Sequence, residues 1–350
     1  MHTPPMEWIR GQEIGHGTFA KVTLAKPTSQ NSRFPPLMAV KSCSLSHSSC
    51  LKNEFMMLNE LKDCPEVVEC YDQCITVENG EKLYNVALEY ASGGSLFDKL
   101  KSSEGLRLLE SDVRRYTKSI LKGLQFIHEK QIVHCDVKLQ NILLFSDDNV
   151  KIADFGLAKR AAAAVEAFMS VKPKYEEVRG TPLYMAPETV VGGEQETASD
   201  IWAVGCLVSE MLTGVPAWNC SDIGSLLMKI GVGAEIPEIP GKLSDAGKDF
   251  LGKCFIKDAS ERWTAEMLLK HPFIDGEDGV AIMASTSPRD PFDFPDWESE
   301  QAVAVTPCFS LESEFKDEVE TRLSMVSRLR QFVTVEVPDW SDSGSWVTVR

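Results

Sequence analysis

The sequence predicts an α+β fold in two lobes, a strand-rich amino-terminal part followed by a helical carboxyl-terminal part. Three observations carry this expectation. Up to about residue 91 the chain runs in short strand-like stretches punctuated by glycine turns. Ser92-Gly93-Gly94-Ser95 then marks a boundary, after which apolar residues recur at helical spacing as far as Phe273. Just past that boundary lies the stretch around which the rest is organised, His134-Cys135-Asp136-Val137-Lys138-Leu139-Gln140-Asn141, with Asp154-Phe155-Gly156 following.

In chain order, Trp8-Ile9-Arg10 leads into Ile14-Gly15-His16-Gly17-Thr18-Phe19-Ala20-Lys21-Val22, two strands joined by a turn of small residues. Such a glycine turn lets backbone N–H groups approach phosphates closely, and Val22 would cover a base. Alone the pattern is weak, since an ordinary glycine hairpin looks the same. Ala20 stands where a third glycine would complete it, so somewhat weaker phosphate contact is expected. Leu37-Met38-Ala39-Val40-Lys41 reads as a strand ending in its lysine, with Ala39 and Lys41 in the nucleotide-binding set. Apolar residues at 51, 55, 58 and 61 then form a helical stripe carrying Glu54. Phosphoryl transfer requires a lysine and glutamate so paired, holding the α- and β-phosphates.

Glu78-Asn79-Gly80-Glu81 is a hairpin turn between strand-like runs at 67–77 and 82–90. Leu88 falls at the back of the expected pocket as its gatekeeper, and Glu89-Tyr90-Ala91 would offer backbone groups to the adenine edge. A long helix over 111–129 buries 113, 116, 120, 121, 124 and 127 and delivers the chain to the central stretch. Ile142-Leu143-Leu144 would floor the pocket. Residues 157–185 carry few structural signals and several candidate modification sites, and loops of that length in compact domains are usually functional. Asp200-Ile201-Trp202 opens an apolar helix to about Leu212, too short to span a bilayer and interrupted by Glu210.

Composition bounds the function. At 350 residues with 43% hydrophobic content the chain can bury a sizeable core. A net charge of −16 argues against nucleic acid or an anionic membrane as the main partner. The acidity is uneven: from Asp275 onward there are 16 Asp and Glu against 6 Lys and Arg. Ten cysteines lie without any paired-ligand spacing, so reduced thiols in a cytoplasmic or nuclear protein are expected. There is no apolar leader, long apolar run or lipidation signal, and a soluble protein is expected.

The central stretch supplies the groups that phosphoryl transfer from a nucleotide needs. Asp136 is placed as the base that orients a substrate hydroxyl and takes its proton late. Lys138 would spread positive charge over the migrating group. Asn141 and Asp154 are hard oxygen ligands of the kind Mg²⁺ accepts beside phosphate oxygens. Singly, each carboxylate would be an ordinary surface group; together, in order, they specify ATP and Mg²⁺.

With these residues in place the chain resembles a eukaryotic protein kinase domain across 8–274, with an amino-terminal lobe to about 91 and a carboxyl-terminal lobe from about 92. The resemblance implies a Glu188–Arg262 ion pair, Asp200 holding the catalytic-loop backbone, and Phe155 and His134 stacked with Leu58. Lys138 together with Thr181 after Gly180 is similar to the serine/threonine pattern, which makes Thr181 a catalytic positioning group. Finer detail resembles plant MAP kinase kinase kinases of the MEKK-like class: Met6-Glu7-Trp8, Glu89 to Leu96, Gly180 to Glu188, Glu261-Arg262-Trp263-Thr264-Ala265, and the closing Asp339-Trp340 with Gly344 to Arg350. It implies a MAP kinase kinase as substrate, phosphorylated on activation-loop serine or threonine. Two other readings remain open, a scaffold built on an inactive kinase fold and a serine/threonine kinase outside that cascade. The presence of Lys41, Asp136 and Asp154 counts against the first.

Cys135 departs from the arginine that many kinases place before the catalytic aspartate, where it binds a phosphorylated activation-loop residue. A thiol makes no charge-assisted bidentate contact, so activity is expected to depend less on loop phosphorylation and more on protein level or a partner. Beyond the domain, 275–310 reads as an acidic linker rich in proline and serine, and 311–350 as a tail. In the tail, Leu311, Phe315, Val319, Leu323, Val326, Leu329 and Phe332 predict an amphipathic helix that docks on the kinase domain or a regulatory partner.

Overall fold

The computed structural model describes residues 7–17, 20–29, 32–146, 148–162, 178–193, 195–233 and 235–275. Its amino-terminal part is a five-stranded antiparallel sheet, β1 Trp8–His16, β2 Lys21–Pro27, β3 Met38–Ser44, β4 Cys70–Glu78 and β5 Glu81–Leu88, in the order β1-β2-β3-β5-β4. The helix α1, Ser49–Glu60, lies between β3 and β4 in the chain. Asn79 and Gly80 have φ of 51° and 84°, the pair of positive angles that the tight hairpin between β4 and β5 demands.

Register decides which side chains face the cleft. Val22 pairs with Lys41, Leu24 with Ala39, and Ala39 with Leu88, so Val22, Ala39, Lys41 and Leu88 share one face of the sheet. The alternate residues Met38 and Val40 bury the other face with Trp8, Ala25, Phe34 and Ala87. Lys41 was expected at its strand's end. It lies instead at the middle of β3, because the pairing with β5 continues to Ser44 opposite Leu83. The pairing shifts in β1 between Arg10 and Glu13 and again between Glu13 and Gly15, irregularities that bend the strand as it enters the glycine turn.

The carboxyl-terminal part starts with α2, Leu96–Ser102, whose capping box pairs Ser95 with Asp98. Gly93 N–H donates to Leu144 C=O at 2.9 Å and Leu144 N–H to Gly94 C=O at 2.8 Å, which fastens the linker between the lobes. The 20-residue α3, Glu110–Glu129, buries Val113, Tyr116, Ile120, Leu121, Leu124 and Ile127 on one stripe. Two short antiparallel pairs follow, β6 Ile132–Val133 with β9 Lys159–Arg160, and, between them in the chain, the hairpin of β7 Ile142–Leu144 with β8 Val150–Ile152.

The rest is helical: α4 Pro187–Gly192, α5 Thr197–Thr213, α6 Ile223–Gly231, α7 Asp245–Cys254, α8 Ala265–Leu269 and α9 Pro272–Asp275. α5 is buried from Ser199 to Met211, as its near-continuous apolar sequence requires. It begins at Thr197, three residues before the Asp200 start expected from sequence; Glu196 stands at the position before it in extended backbone, and the Ser199 N–H and hydroxyl bond back to its carbonyl. No disulfide joins the described cysteines, and no helix among the described residues is long and apolar enough to cross a membrane. The expected tail helix and acidic linker lie outside the described residues, as do Thr18 and Phe19.

Candidate active site

The loop between β6 and β7 carries the central residues, and two anchors shape it. Asp200 Oδ2 accepts the His134 N–H at 2.9 Å and Oδ1 the Cys135 N–H at 3.0 Å. His128 Nε2 lies 2.9 Å from Asp200 Oδ2, a contact that sequence reasoning missed. His134 is fixed through both ring nitrogens. Its Nε2–H donates to Ala153 C=O at 3.1 Å, which assigns the tautomer, and its Nδ1 accepts the Asp136 N–H at 3.2 Å. The imidazole therefore ties the loop to the residue before Asp154. It packs edge-on against Phe155, ring centroids 4.8 Å apart, and Leu58, expected beside them, is also buried. Cys135 and Asp154 both adopt left-handed φ, 67° and 65°, a conformation uncommon outside glycine that clusters at functional sites.

Asp136 is held from three sides. Thr181 Oγ1–H donates to its Oδ1 at 2.7 Å, Lys138 Nζ lies 2.8 Å from Oδ2, and Asn141 Nδ2 donates to Oδ2 at 3.0 Å and to the Asp136 carbonyl at 2.8 Å. Lys138 also donates to Thr181 Oγ1 at 2.9 Å. Thr181 arrives from the far end of the 157–185 segment through Gly180, whose φ is 101°. A Cβ there would stand 2.3 Å from the Cys135 carbonyl oxygen, so only glycine lets the two chains come this close. The sequence placed Asp136, Lys138 and Thr181 in one catalytic group, and in the structure they form one hydrogen-bonded cluster.

A second cluster joins the lobes. Lys41 Nζ lies 2.7 Å from Glu54 Oε2 on α1 and donates to Asp154 Oδ1 at 3.0 Å. Burial alone would lower the pKa of Lys41, but Asp154 and Glu54 outweigh it, and the pKa of the ammonium is raised. Burial pushes the Glu54 carboxyl up to about 7 against the pull of Lys41. Burial also opposes ionisation of Asp154, yet the Lys41 charge prevails and holds it down at about 2. Lys41 and Asp154 form the firmly charged pair, and Glu54 is the buried partner that orients the amine.

These residues fit a nucleotide with its cation. Both hydrogens of the Asn141 amide nitrogen go to Asp136, so its carbonyl oxygen is left for a hard cation, and Asp154 offers a carboxylate. The two are neighbours, since Ala153 N–H donates to Asn141 C=O at 2.9 Å. Val22, Ala39 and Leu88 stand on the cleft face of the sheet, with half-buried Leu143 on β7. The Glu89 N–H is taken by Glu69 C=O at 2.9 Å, so the backbone groups left for an adenine edge are the Glu89 carbonyl and those of Ala91. Ile14, Gly15 and His16 complete β1, and Gly17 N–H closes the turn onto Ala20 C=O at 2.7 Å.

Three further side chains, invisible to spacing arguments, brace the site. Asn53, next to Glu54, donates its amide toward the carbonyls of Phe155, Gly156 and Ala158 at 3.3, 3.2 and 2.8 Å. Gln195 and Glu196, just before α5, bond the backbone at Arg179 and Ala162. Below the site, Arg262 makes a two-pronged pair with Glu188 at 2.6 and 3.0 Å.

A base held beside a lysine, a charged lysine between carboxylates, and two oxygen ligands under a glycine turn define a nucleotide-dependent phosphotransferase. Residues 8–274 match the protein kinase domain family. Mitogen-activated protein kinase kinase kinase 20 of Arabidopsis thaliana is 47% identical over 360 residues, covering 99% of this chain and 100% of that protein. Mitogen-activated protein kinase kinase kinase 18 of the same plant is 38% identical across 99% of both chains, and kinase kinase kinase 17 is 41% identical over 77% of this chain and 70% of its own. The chain belongs to the protein kinase family, in its group of plant mitogen-activated protein kinase kinase kinases. It is an ATP-dependent serine/threonine protein kinase that uses a divalent metal and acts on protein.

Proposed function

We propose that this kinase phosphorylates a MAP kinase kinase on serine or threonine within a MAP kinase cascade, with Mg²⁺ as the metal. The substrate class rests on relatives named for that step, matched along nearly the whole chain. The observation that carries the chemistry is the continuous connection from Glu54 through Lys41 to Asp154 beside the joined Asp136, Lys138 and Thr181.

Bound ATP–Mg²⁺ supplies the γ-phosphoryl group and draws charge away from the oxygens around the reacting phosphorus. Asp136 orients the substrate hydroxyl and accepts its proton as the new P–O bond forms and the bond to the β-phosphate oxygen breaks, leaving ADP. Lys138 stabilises charge on the migrating group, while Thr181 fixes both Lys138 and Asp136. Lys41, oriented by Glu54, would hold the α- and β-phosphates, and Asn141 and Asp154 would hold the metal. Val22, Ala39, Leu88 and Leu143 enclose the base. A regulatory partner would act on residues 311–350, through the apolar residues that recur from Leu311 to Phe332 in the sequence.

A panel of catalytically inactive MAP kinase kinases, offered beside unrelated kinases with ATP–Mg²⁺, tests the substrate. Labelling confined to one or two MAP kinase kinases supports the proposal. Labelling that ignores them in favour of other proteins would place this kinase outside the cascade.

A further inference from the structure

The first turn of α5 holds more than the catalytic loop. Asp200 takes the loop amides, and the two residues immediately before the helix hold both described ends of the segment that runs from Asp154 to Thr181. Gln195 is 4% exposed, and its amide matches the backbone of Arg179 on both sides: Oε1 accepts the Arg179 N–H at 3.0 Å, and Nε2 donates to the Arg179 carbonyl at 2.7 Å. Glu196 accepts the Ala162 N–H with its two oxygens at 3.1 and 3.2 Å, and Lys159 stands 3.9 Å from its Oε1. Glu196 is itself fixed, because its carbonyl accepts the Ser199 N–H at 2.8 Å and the Ser199 hydroxyl at 2.7 Å.

We propose that Gln195 and Glu196 form a clamp that presents Thr181 to Asp136, which makes Gln195 a positioning residue of the transfer reaction. The inference rests on the kinase reading above. Its force comes from the short path between clamp and base. Arg179 is two residues from Thr181, and the intervening Gly180 is pressed against the Cys135 carbonyl with no room for a Cβ. Movement at Arg179 therefore moves Thr181 Oγ1, which sits 2.7 Å from Asp136 Oδ1.

A primary amide is the neutral side chain that can serve an N–H and a C=O of one residue together, as a neighbouring strand would. Gln195 is buried and Arg179 half-buried, so losing the amide takes from the Arg179 N–H and C=O the partner that fixes both. Residue 135 is itself no cation: its thiol packs with Val133, Ala161 and Leu157 in an apolar cluster, and the segment is held beside it by Gln195, by Glu196 and by the Arg179 guanidinium, which donates to Leu157 C=O at 3.3 Å.

The test uses the full chain with Gln195→Met, which keeps volume and loses both hydrogen bonds, and Gln195→Glu, which keeps the acceptor and loses the donor. Glu196→Ala removes the second arm. Transfer to an inactive MAP kinase kinase and amide hydrogen exchange at Arg179 and Ala162 are measured for each. The clamp predicts that Gln195→Met lowers kcat by about tenfold to a hundredfold with KM for ATP within about twofold, as displacement of a catalytic group without loss of binding would do. It also predicts that Arg179 exchange rises by about tenfold, that Ala162 responds only to Glu196→Ala, and that Gln195→Glu falls between wild type and Gln195→Met. Unchanged kcat in Gln195→Met, or a joint change in kcat and KM for ATP, would overturn the clamp. A wild type that transfers no phosphate would contradict the kinase reading instead, and the exchange arm would still decide the clamp: an Arg179 amide as open in wild type as in Gln195→Met overturns it.

Discussion

Arg262 shows how much one side chain holds beneath the site. Its guanidinium is fully buried and donates to both Glu188 oxygens and to the carbonyls of Ala198, Ile256 and Lys257, with Trp202 under its plane at 5.2 Å. Removing one partner of such a pair leaves an uncompensated buried charge. Arg262→Ala should therefore cost about 3–5 kcal/mol in urea unfolding, and Arg262→Lys should recover little of it, because an ammonium cannot reproduce the planar fork. A neighbouring carboxyl gives a pH effect of known sign. Glu210 is buried and accepts a hydrogen bond from the Tyr184 hydroxyl, and burial raises its pKa above the usual carboxylate range. A raised folded value means that the contribution to stability is full below the unfolded range and is lost as pH rises through the folded one. Thermal unfolding of wild type and Glu210→Gln should therefore diverge in wild type's favour as the buffer moves from about pH 8 to about pH 5. A difference that grows in the opposite direction would mean that the carboxylate, and not the acid, is the favoured buried form.

At the scale of elements, α1 and the segment after Asp154 act as one piece. Glu54 on α1 reaches Lys41, while Asn53 on the same turn holds three carbonyls of 155–158, and Arg160 pairs with Glu60 at the helix end. Asn53→Leu and Asn53→Asp both lose the donor, and each should lower kcat/KM for ATP by about tenfold in steady-state assays. Activity retained by Asn53→Asp would show that the carbonyl contacts are dispensable. The segment's other control point is Cys135, whose thiol donates to Val133 C=O at 3.6 Å and is pushed by burial far from its thiolate form. With no arginine there to receive a phosphate, a chain carrying Ser170→Ala and Tyr175→Phe should keep transfer rates within a few-fold of wild type. Loss of activity in that variant would make loop phosphorylation obligatory.

For the whole molecule, the two-lobed fold was legible because its signals are periodic: alternation in the strands, helical stripes in α1 and α3, and paired positive-φ residues at Asn79-Gly80. The catalytic loop was legible for another reason. Residues 134–141 are close in sequence, so their spacing alone brings Asp136, Lys138 and Asn141 together, and the β7–β8 hairpin brings Asp154 beside them. What stayed hidden depends on single contacts across long separations. Asn53 meets Ala158 across 105 positions, and Gln195 meets Arg179 across 16. Neither leaves a repeat, and the residues from Gln195 to Ser199 carry no apolar periodicity that would place the start of α5 at Thr197 rather than Asp200. The length of β3 escaped because Ser42 and Ser44 do not announce a strand, although pairing with β5 extends it to Ser44, opposite Leu83.

Asp136 is the group through which the reaction passes. The most direct measurement is the initial rate of phosphate transfer from ATP–Mg²⁺ to an inactive MAP kinase kinase by the full chain and by its Asp136→Asn variant, with ATP affinity measured in parallel. The account predicts a loss of about a hundredfold to ten-thousandfold in rate with ATP binding preserved. An Asp136→Asn chain that transfers phosphate as fast as wild type would contradict it, as would a wild type that binds ATP and transfers none.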